Sequence, residues 1–174
     1  MGATPEVIDK PLTREALRER YRDLCADPRF ANLPGKIELD VWGRILMSPA
    51  SNYHGMLQAR LAQRLAALGG QAFSEASVVT SIGLLVADLA WASAEFMQAH
   101  ATETPFTRAP QLCIEIASPS NSLKELREKV DAYLAAGATE AWIVFPQSKR
   151  FEFFGKGGML HHSAFAVDRV GLFD

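Results

Sequence analysis

Hydrophobic and polar positions alternate along this chain in two periods. Leu17, Tyr21 and Leu24 recur at helical spacing behind Thr13, a candidate N-cap, and predict a helix over 13–26. Residues 36–41 and 44–48 alternate as two short strands turning near Trp42-Gly43. Leu57, Leu61, Leu65 and Leu68 then form the stripe of a helix over 53–68, with Asn52 as its cap and Gly69-Gly70 as its stop. Extended segments follow at 71–80 and 84–92. Ser93 caps a short helix ending near His100. A strand over 111–117, a helix over 122–136 closed by Gly137, and a strand over 140–145 come next. Residues 150–173 predict a hairpin around Gly155 to Gly158.

The order is helix, hairpin, helix, strand pair, short helix, strand, helix, strand, hairpin. That order predicts an α/β (mixed α+β) fold with a central mixed sheet flanked by helices. The unit 111–145 suits a parallel strand pair joined by a crossover helix. With 174 residues, a single domain over 13–174 is expected behind a flexible lead-in, residues 1–12.

Two runs break their own pattern. Leu112-Cys113-Ile114-Glu115-Ile116-Ala117 is apolar except for Glu115, and Leu84 to Trp91 is apolar except for Asp88. Carboxylates avoid such runs unless paired or bound to a metal. Strand alternation places Glu115 between the small residues Cys113 and Ala117, and places Asp88 on the face of Val86 and Ala90. Taken singly, each acid is explained more economically by a turn or a solvated sheet face. Glu38, in an alternating strand, is weaker still. Lys129 flanks the stripe Leu123, Leu126, Val130, Tyr133 and Leu134, one turn before Tyr133. A border lysine of that kind commonly snorkels to water. His54 lies on the side of Leu57 and Leu61, where a structural role is the ordinary expectation and a site-lining role the second. His161 and His162, adjacent in an expected strand, face opposite ways and make a poor metal pair.

Composition narrows the setting. Hydrophobic content of 48% and charged content of 22% are those of a globular protein with a real core. No apolar run reaches the roughly 20 residues of a membrane span, and the first residues lack the order of a signal peptide. Cys25 and Cys113 form neither a zinc pattern nor a disulfide framework, so a reducing, cytoplasmic setting is expected. A net charge of −2 argues against a general nucleic-acid coat and leaves a local basic groove open. The sequence has no dinucleotide, phosphate-loop, serine-hydrolase or zincin motif.

From 36 to 154 the chain resembles the Uma-type restriction endonucleases of the PD-(D/E)XK nuclease superfamily. The matching pieces are Ile37-Glu38-Leu39, Met47-Ser48-Pro49 with His54, Ala87-Asp88-Leu89-Ala90-Trp91, Ile114 to Ser120, Glu128-Lys129 with Tyr133, and Ala135-Ala136-Gly137 before Ala141-Trp142-Ile143-Val144. Each is short; their order and spacing carry the likeness. The resemblance implies a restriction-endonuclease-like core and a Mg²⁺ (or Mn²⁺) ion held by Asp88 and Glu115, with Glu38 in support. It also implies a catalytic role for Lys129, site-lining roles for His54 and Tyr133, and DNA as the substrate. The superfamily's lysine two residues after the second acid is replaced by Ala117, and Ala87 stands where proline precedes the aspartate.

Three readings follow. The first is a metal-dependent endonuclease hydrolysing DNA phosphodiester bonds. The second is an inactive nuclease-like module that binds nucleic acid or protein. The third is an assembly module, for which a homodimer is the default and dispersed acids are expected. Convergence of Asp88, Glu115 and Lys129 in one pocket would weigh against the third.

Overall fold

The structure is a computed structural model that describes residues 10–32 and 35–174. The first nine residues of the expected lead-in lie outside the described residues; Leu12 donates its N–H to the Val41 carbonyl at 2.7 Å. Helix α1 (Arg14–Ala26) begins as the sequence predicts, with Thr13 Oγ1 accepting the Ala16 N–H at 3.1 Å. Strands β1 (Lys36–Leu39) and β2 (Ile45–Ser48) form the first hairpin. Helix α2 spans Asn52–Ala66, and its cap is Ser51 rather than Asn52, because Ser51 Oγ accepts the His54 N–H. Strands β3 (Gln71–Thr80) and β4 (Gly83–Ala92) follow, then α3 (Ala94–His100), β5 (Leu112–Ile116), α4 (Leu123–Ala135) and β6 (Glu140–Phe145). Strands β7 (Arg150–Gly155) and β8 (Gly158–Leu160) make the last hairpin. His161 and His162 fall in a bend beyond β8, not in a strand.

All eight strands join one sheet in the order β2-β1-β4-β5-β6-β7-β8, with β3 paired to β4. Only β5 and β6 are parallel, the pair bridged by α4; the other pairings are antiparallel. The sheet is therefore mixed, as expected.

Successive residues of β3 and β5 send side chains to opposite faces of the sheet, one face holding one buried cluster and the other two. Val78 and Cys113 pack with Leu126, Val130 and Tyr133 of α4 and Phe96 of α3. Val79 packs with Leu17 of α1, and Ile114 with Leu57, Leu61 and Leu65 of α2. Thus α1 and α2 cover one face of the sheet, and α3 and α4 the other. Burying a leucine of such a stripe contributes roughly 1.5–3 kcal/mol, which fixes the helices that carry the polar residues described next. The stripes end sooner than their periodicity implies: Leu68 lies beyond α2 and Leu123 opens α4, and both are exposed.

The register of β4 explains where the polar residues go. Strand β3 takes one full edge of β4, from the Gln71–Ala92 pair to the Thr80–Gly83 pair. The other edge is shared: Leu84 pairs with Leu39 of β1, while Leu89 to Trp91 pair with β5. Between them, near residues 85–88, β4 has no strand neighbour on that edge. The in–out alternation of β4 also slips there. Val86 packs toward α1, whereas Ala90 belongs to the opposite core. The expectation that Asp88 shares one face with both is therefore corrected. Asp88 sits at the slip itself.

Candidate active site

The gap between β1 and β5 is closed by side chains doing the work of a strand. Glu38 Oε1 on β1 accepts the Val86 N–H at 2.8 Å. Asp88 Oδ2 on β4 accepts the Ile116 N–H at 2.7 Å. Lys36 Nζ donates to the Val86 carbonyl at 2.8 Å. Buried backbone groups need partners, and here carboxylates and an ammonium supply them. Glu38 and Asp88 are tied into the sheet by main-chain bonds, which hold their carboxylate oxygens in place.

Those oxygens converge. Lys36 Nζ lies 2.9 Å from Asp88 Oδ1, 3.3 Å from Glu115 Oε2 and 3.9 Å from Glu38 Oε1. Lys129 Nζ contacts both oxygens of Glu38 at 2.8 Å and approaches Glu115 Oε2 at 3.7 Å. Tyr133 Oη donates to Glu115 Oε1 at 2.7 Å. Lys129 and Tyr133 are i and i+4 on α4, so one helix face delivers both to β5. The helix is fixed at its start by a capping box between Ser122 and Glu125. Three carboxylates from three strands and two lysines thus form one buried cluster. The assembly-module reading, which expects dispersed acids, loses its main support.

The surroundings set the charges. Burial pushes the Asp88 carboxyl up, but contacts from His54, Lys36 and the Ile116 N–H outweigh it and leave its pKa at about 2. Full burial pushes the Glu115 carboxyl up; Lys36 and Lys129 only partly offset that, while Asp88 and Glu38 add to it. Burial also pushes the Tyr133 hydroxyl well above its ordinary value, so it remains a donor. For Lys36 burial alone would lower the pKa, but Glu115 and Asp88 reverse the sign and raise it. His54 Nε2 stands 3.5 Å from Asp88 Oδ1, and that contact raises the imidazole's pKa.

The cluster opens to solvent through a cleft of about 510 Å³ lined by Lys36, His54, Glu75, Asp88, Glu115 and the 118–121 turn, among others. Gly35 sits at its rim with φ +84°; a Cβ there would meet the Ser48 carbonyl oxygen at 2.3 Å. A second cleft of about 710 Å³, lined in part by Tyr53, Leu123 and Phe145, shares Ser51, His54, Ser118, Pro119 and Asn121 with the first.

All six residues singled out in the sequence, Glu38, His54, Asp88, Glu115, Lys129 and Tyr133, meet in this cluster or at its mouth. Two others were missed. Lys36 had a readable signal, because alternation places it on the face of Glu38, two residues on. Glu75 had none. The β3–β4 ladder pairs Ser74 with Leu89 and Ala76 with Ala87 but skips the position between, where Glu75 stands opposite Asp88 at φ 58°. Gln58 Nε2 donates instead to the Asp88 carbonyl at 2.7 Å and to Glu75 Oε1 at 3.2 Å. A non-glycine residue in that conformation costs of order 1–3 kcal/mol and persists where its surroundings over-determine it.

Hard carboxylate oxygens that converge on one cation position fit the donor chemistry of Mg²⁺ or Mn²⁺, which take one or two protein carboxylates and complete the shell with water. Among the described residues, no three His, Cys, Asp or Glu side chains form a ready-made metal cage.

A mixed sheet flanked by helices, with acids and lysines gathered where two strands share an edge, defines a restriction-endonuclease-like protein. The chain matches the Uma2 family, described as "Putative restriction endonuclease", over residues 18–167, and it belongs to that family. In three dimensions it is similar to a structure described as "a putative nuclease belonging to DUF820" from Anabaena variabilis. That likeness has a TM-score of 0.63 at 18% identity, covering 94% of this chain and 98% of the other, and shows the shared fold. No curated protein matches the chain. No helix among the described residues is long and apolar enough to cross a membrane.

Proposed function

We propose that this chain is a Mg²⁺-dependent (or Mn²⁺-dependent) endonuclease that hydrolyses DNA phosphodiester bonds. The observation that carries the proposal is the convergence of Asp88 and Glu115 at the floor of an open cleft, with the Lys129 ammonium 3.7 Å from Glu115 behind them. Asp88 and Glu115 would hold the ion. When bound, it supplies Lewis acidity toward the phosphoryl group and makes water a stronger nucleophile at neutral pH.

The chain's own residues do the rest. Tyr133 orients Glu115 by holding Oε1, so that Oε2 points to the shared cation position. The Ile116 N–H does the same for Asp88 by binding Oδ2 and leaving Oδ1 free. Glu38 grips Lys129 with both oxygens and keeps its ammonium near Glu115, where it can stabilise charge growing on a phosphoryl oxygen. Lys129 thereby takes the role of the lysine that Ala117 replaces. His54, at the mouth, can donate to a phosphate on the cleft side.

The test is a time course of supercoiled plasmid nicking with Mg²⁺. Wild-type protein should nick, and Asp88→Asn and Glu115→Gln should lose at least about 100-fold in rate, as expected when a group holding the electrostatic centre is removed. Equal rates in all three would exclude this site as the source of cleavage.

One observation favours a second reading, the nuclease-like module that binds without cutting: the cation position between Asp88 and Glu115 is filled by the chain's own Lys36. Under that reading DNA affinity falls steeply with salt and no metal yields cleavage.

A further inference from the structure

Lys36 has no assigned role, yet its ammonium is the cationic group nearest to both Asp88 and Glu115. We infer that Lys36 is the resident cation of this site, that it neutralises the Asp88–Glu115 pair in the metal-free protein, and that a divalent ion binds only by displacing it. The inference rests on the metal-dependent reading above and goes beyond it, because it makes metal binding an exchange of cations rather than the filling of a vacant seat.

Geometry separates the two lysines. Lys129 is pinned by both Glu38 oxygens at 2.8 Å and stands 3.7 Å from Glu115. Lys36 is 2.9 Å from Asp88 Oδ1 and 3.3 Å from Glu115 Oε2, the two oxygens that Ile116 N–H and Tyr133 Oη leave free. A small divalent ion bridging those oxygens would occupy the volume of the Lys36 ammonium. Two cations cannot share it, since like charges at such separations repel strongly in a buried site.

The exchange has a route. Lys36 opens β1, directly after Gly35 at the cleft rim, and lines the cleft. Its stem is long and its head prefers water, so a rotation of the side chain carries the ammonium from between the acids into the open cleft. Its one other hydrogen-bond partner is the Val86 carbonyl at 2.8 Å, a single bond that the rotation would have to break. A buried acid cluster without a counter-charge is strongly disfavoured, and Lys36 and Lys129 supply two positive charges to the three buried carboxylates.

The test is Mn²⁺ titration of the full chain by calorimetry, with melting temperatures in EDTA and in Mn²⁺. Lys36→Met keeps the stem and removes the charge. It should bind Mn²⁺ at least about ten-fold more tightly than wild type, melt lower in EDTA, and gain more from Mn²⁺, because the stabilisation from a ligand grows with the logarithm of its affinity. Lys36→Arg keeps the charge and should bind Mn²⁺ no more tightly than wild type. Equal or weaker binding by Lys36→Met, alongside normal binding by wild type, overturns the inference and leaves the metal-dependent reading standing. No Mn²⁺ binding to either protein overturns both. If Lys36→Met is unfolded in EDTA, recovery of its native circular dichroism on adding Mn²⁺ supports the exchange, and no recovery overturns it. Tighter binding by Lys36→Arg overturns it whatever Lys36→Met does.

Discussion

Replacing Tyr133 with Phe removes one oxygen from the centre of the cluster and nothing else. The ring is fully buried against Cys113, Val130 and Ile143, so packing is kept. The lost bond is Tyr133 Oη to Glu115 Oε1 at 2.7 Å, and no other hydrogen-bond donor reaches that oxygen among the described residues. A hydrogen bond to a charged group contributes about 1.5–3 kcal/mol, and an acceptor left buried without its donor bears that loss in full. For a domain of this size each kcal/mol moves the melting temperature by roughly 2–4 °C, so the variant should melt about 3–12 °C lower. Calorimetry at neutral pH gives the shift, and urea unfolding gives the free energy with an unchanged slope. A cycle with Glu115→Gln isolates the pair: the coupling should exceed about 1 kcal/mol, because contacting residues are not additive. A Tyr133→Phe protein within about 0.5 kcal/mol of wild type, the range of an inconsequential substitution, would refute the claim that Tyr133 holds Glu115.

Further outcomes follow from other sites. Cys25 is exposed and Cys113 is buried with its thiol pushed up by burial, so Ellman's reagent at pH 8 should titrate one thiol in the native protein and both in urea; two fast thiols would mean that β5 is not core. Glu103 bonds His100 and Thr107, which outweigh burial and lower its pKa. A lowered folded-state value stabilises above the unfolded value and is lost as pH falls through the folded one. Glu103→Gln should therefore cost about 1 kcal/mol at pH 7, with the gap to wild type closing in acid, as urea curves across pH would show. Glu140 is buried and accepts bonds from Trp142, Ser163 and the Ala164 N–H. Glu140→Gln, which turns an amide group toward those donors, should cost about 2 kcal/mol or more and free the tail for trypsin near Arg169; unchanged proteolysis would show that the tail is held elsewhere.

Much of this site was legible because its residues violate the patterns around them. Glu115 and Asp88 stand out as acids in apolar strands, and Lys129 and Tyr133 fall on one helix face at a spacing of four. What periodicity does not carry is the pairing of β4. Strict alternation predicts one face for Val86, Asp88 and Ala90, whereas the chain slips at Asp88 because two strands share that edge. Glu75 is invisible too, since its left-handed conformation lies opposite Asp88 in the β3–β4 ladder, a pairing that no local pattern encodes. Lys36 could have been read from its two-residue spacing to Glu38, but nothing local says that its ammonium reaches Asp88, 52 positions away. The Asn52 and Ser51 caps differ by one residue, an ambiguity set by two adjacent capping residue types.

Under the proposed function, Asp88 and Glu115 form one seat for a divalent cation. Crystals soaked in Mn²⁺, read by anomalous scattering, test it most directly. The expected result is a peak between the Asp88 and Glu115 carboxylates, with the Lys36 side chain turned into the cleft. No peak at saturating Mn²⁺, with Lys36 still between the two acids, would contradict it.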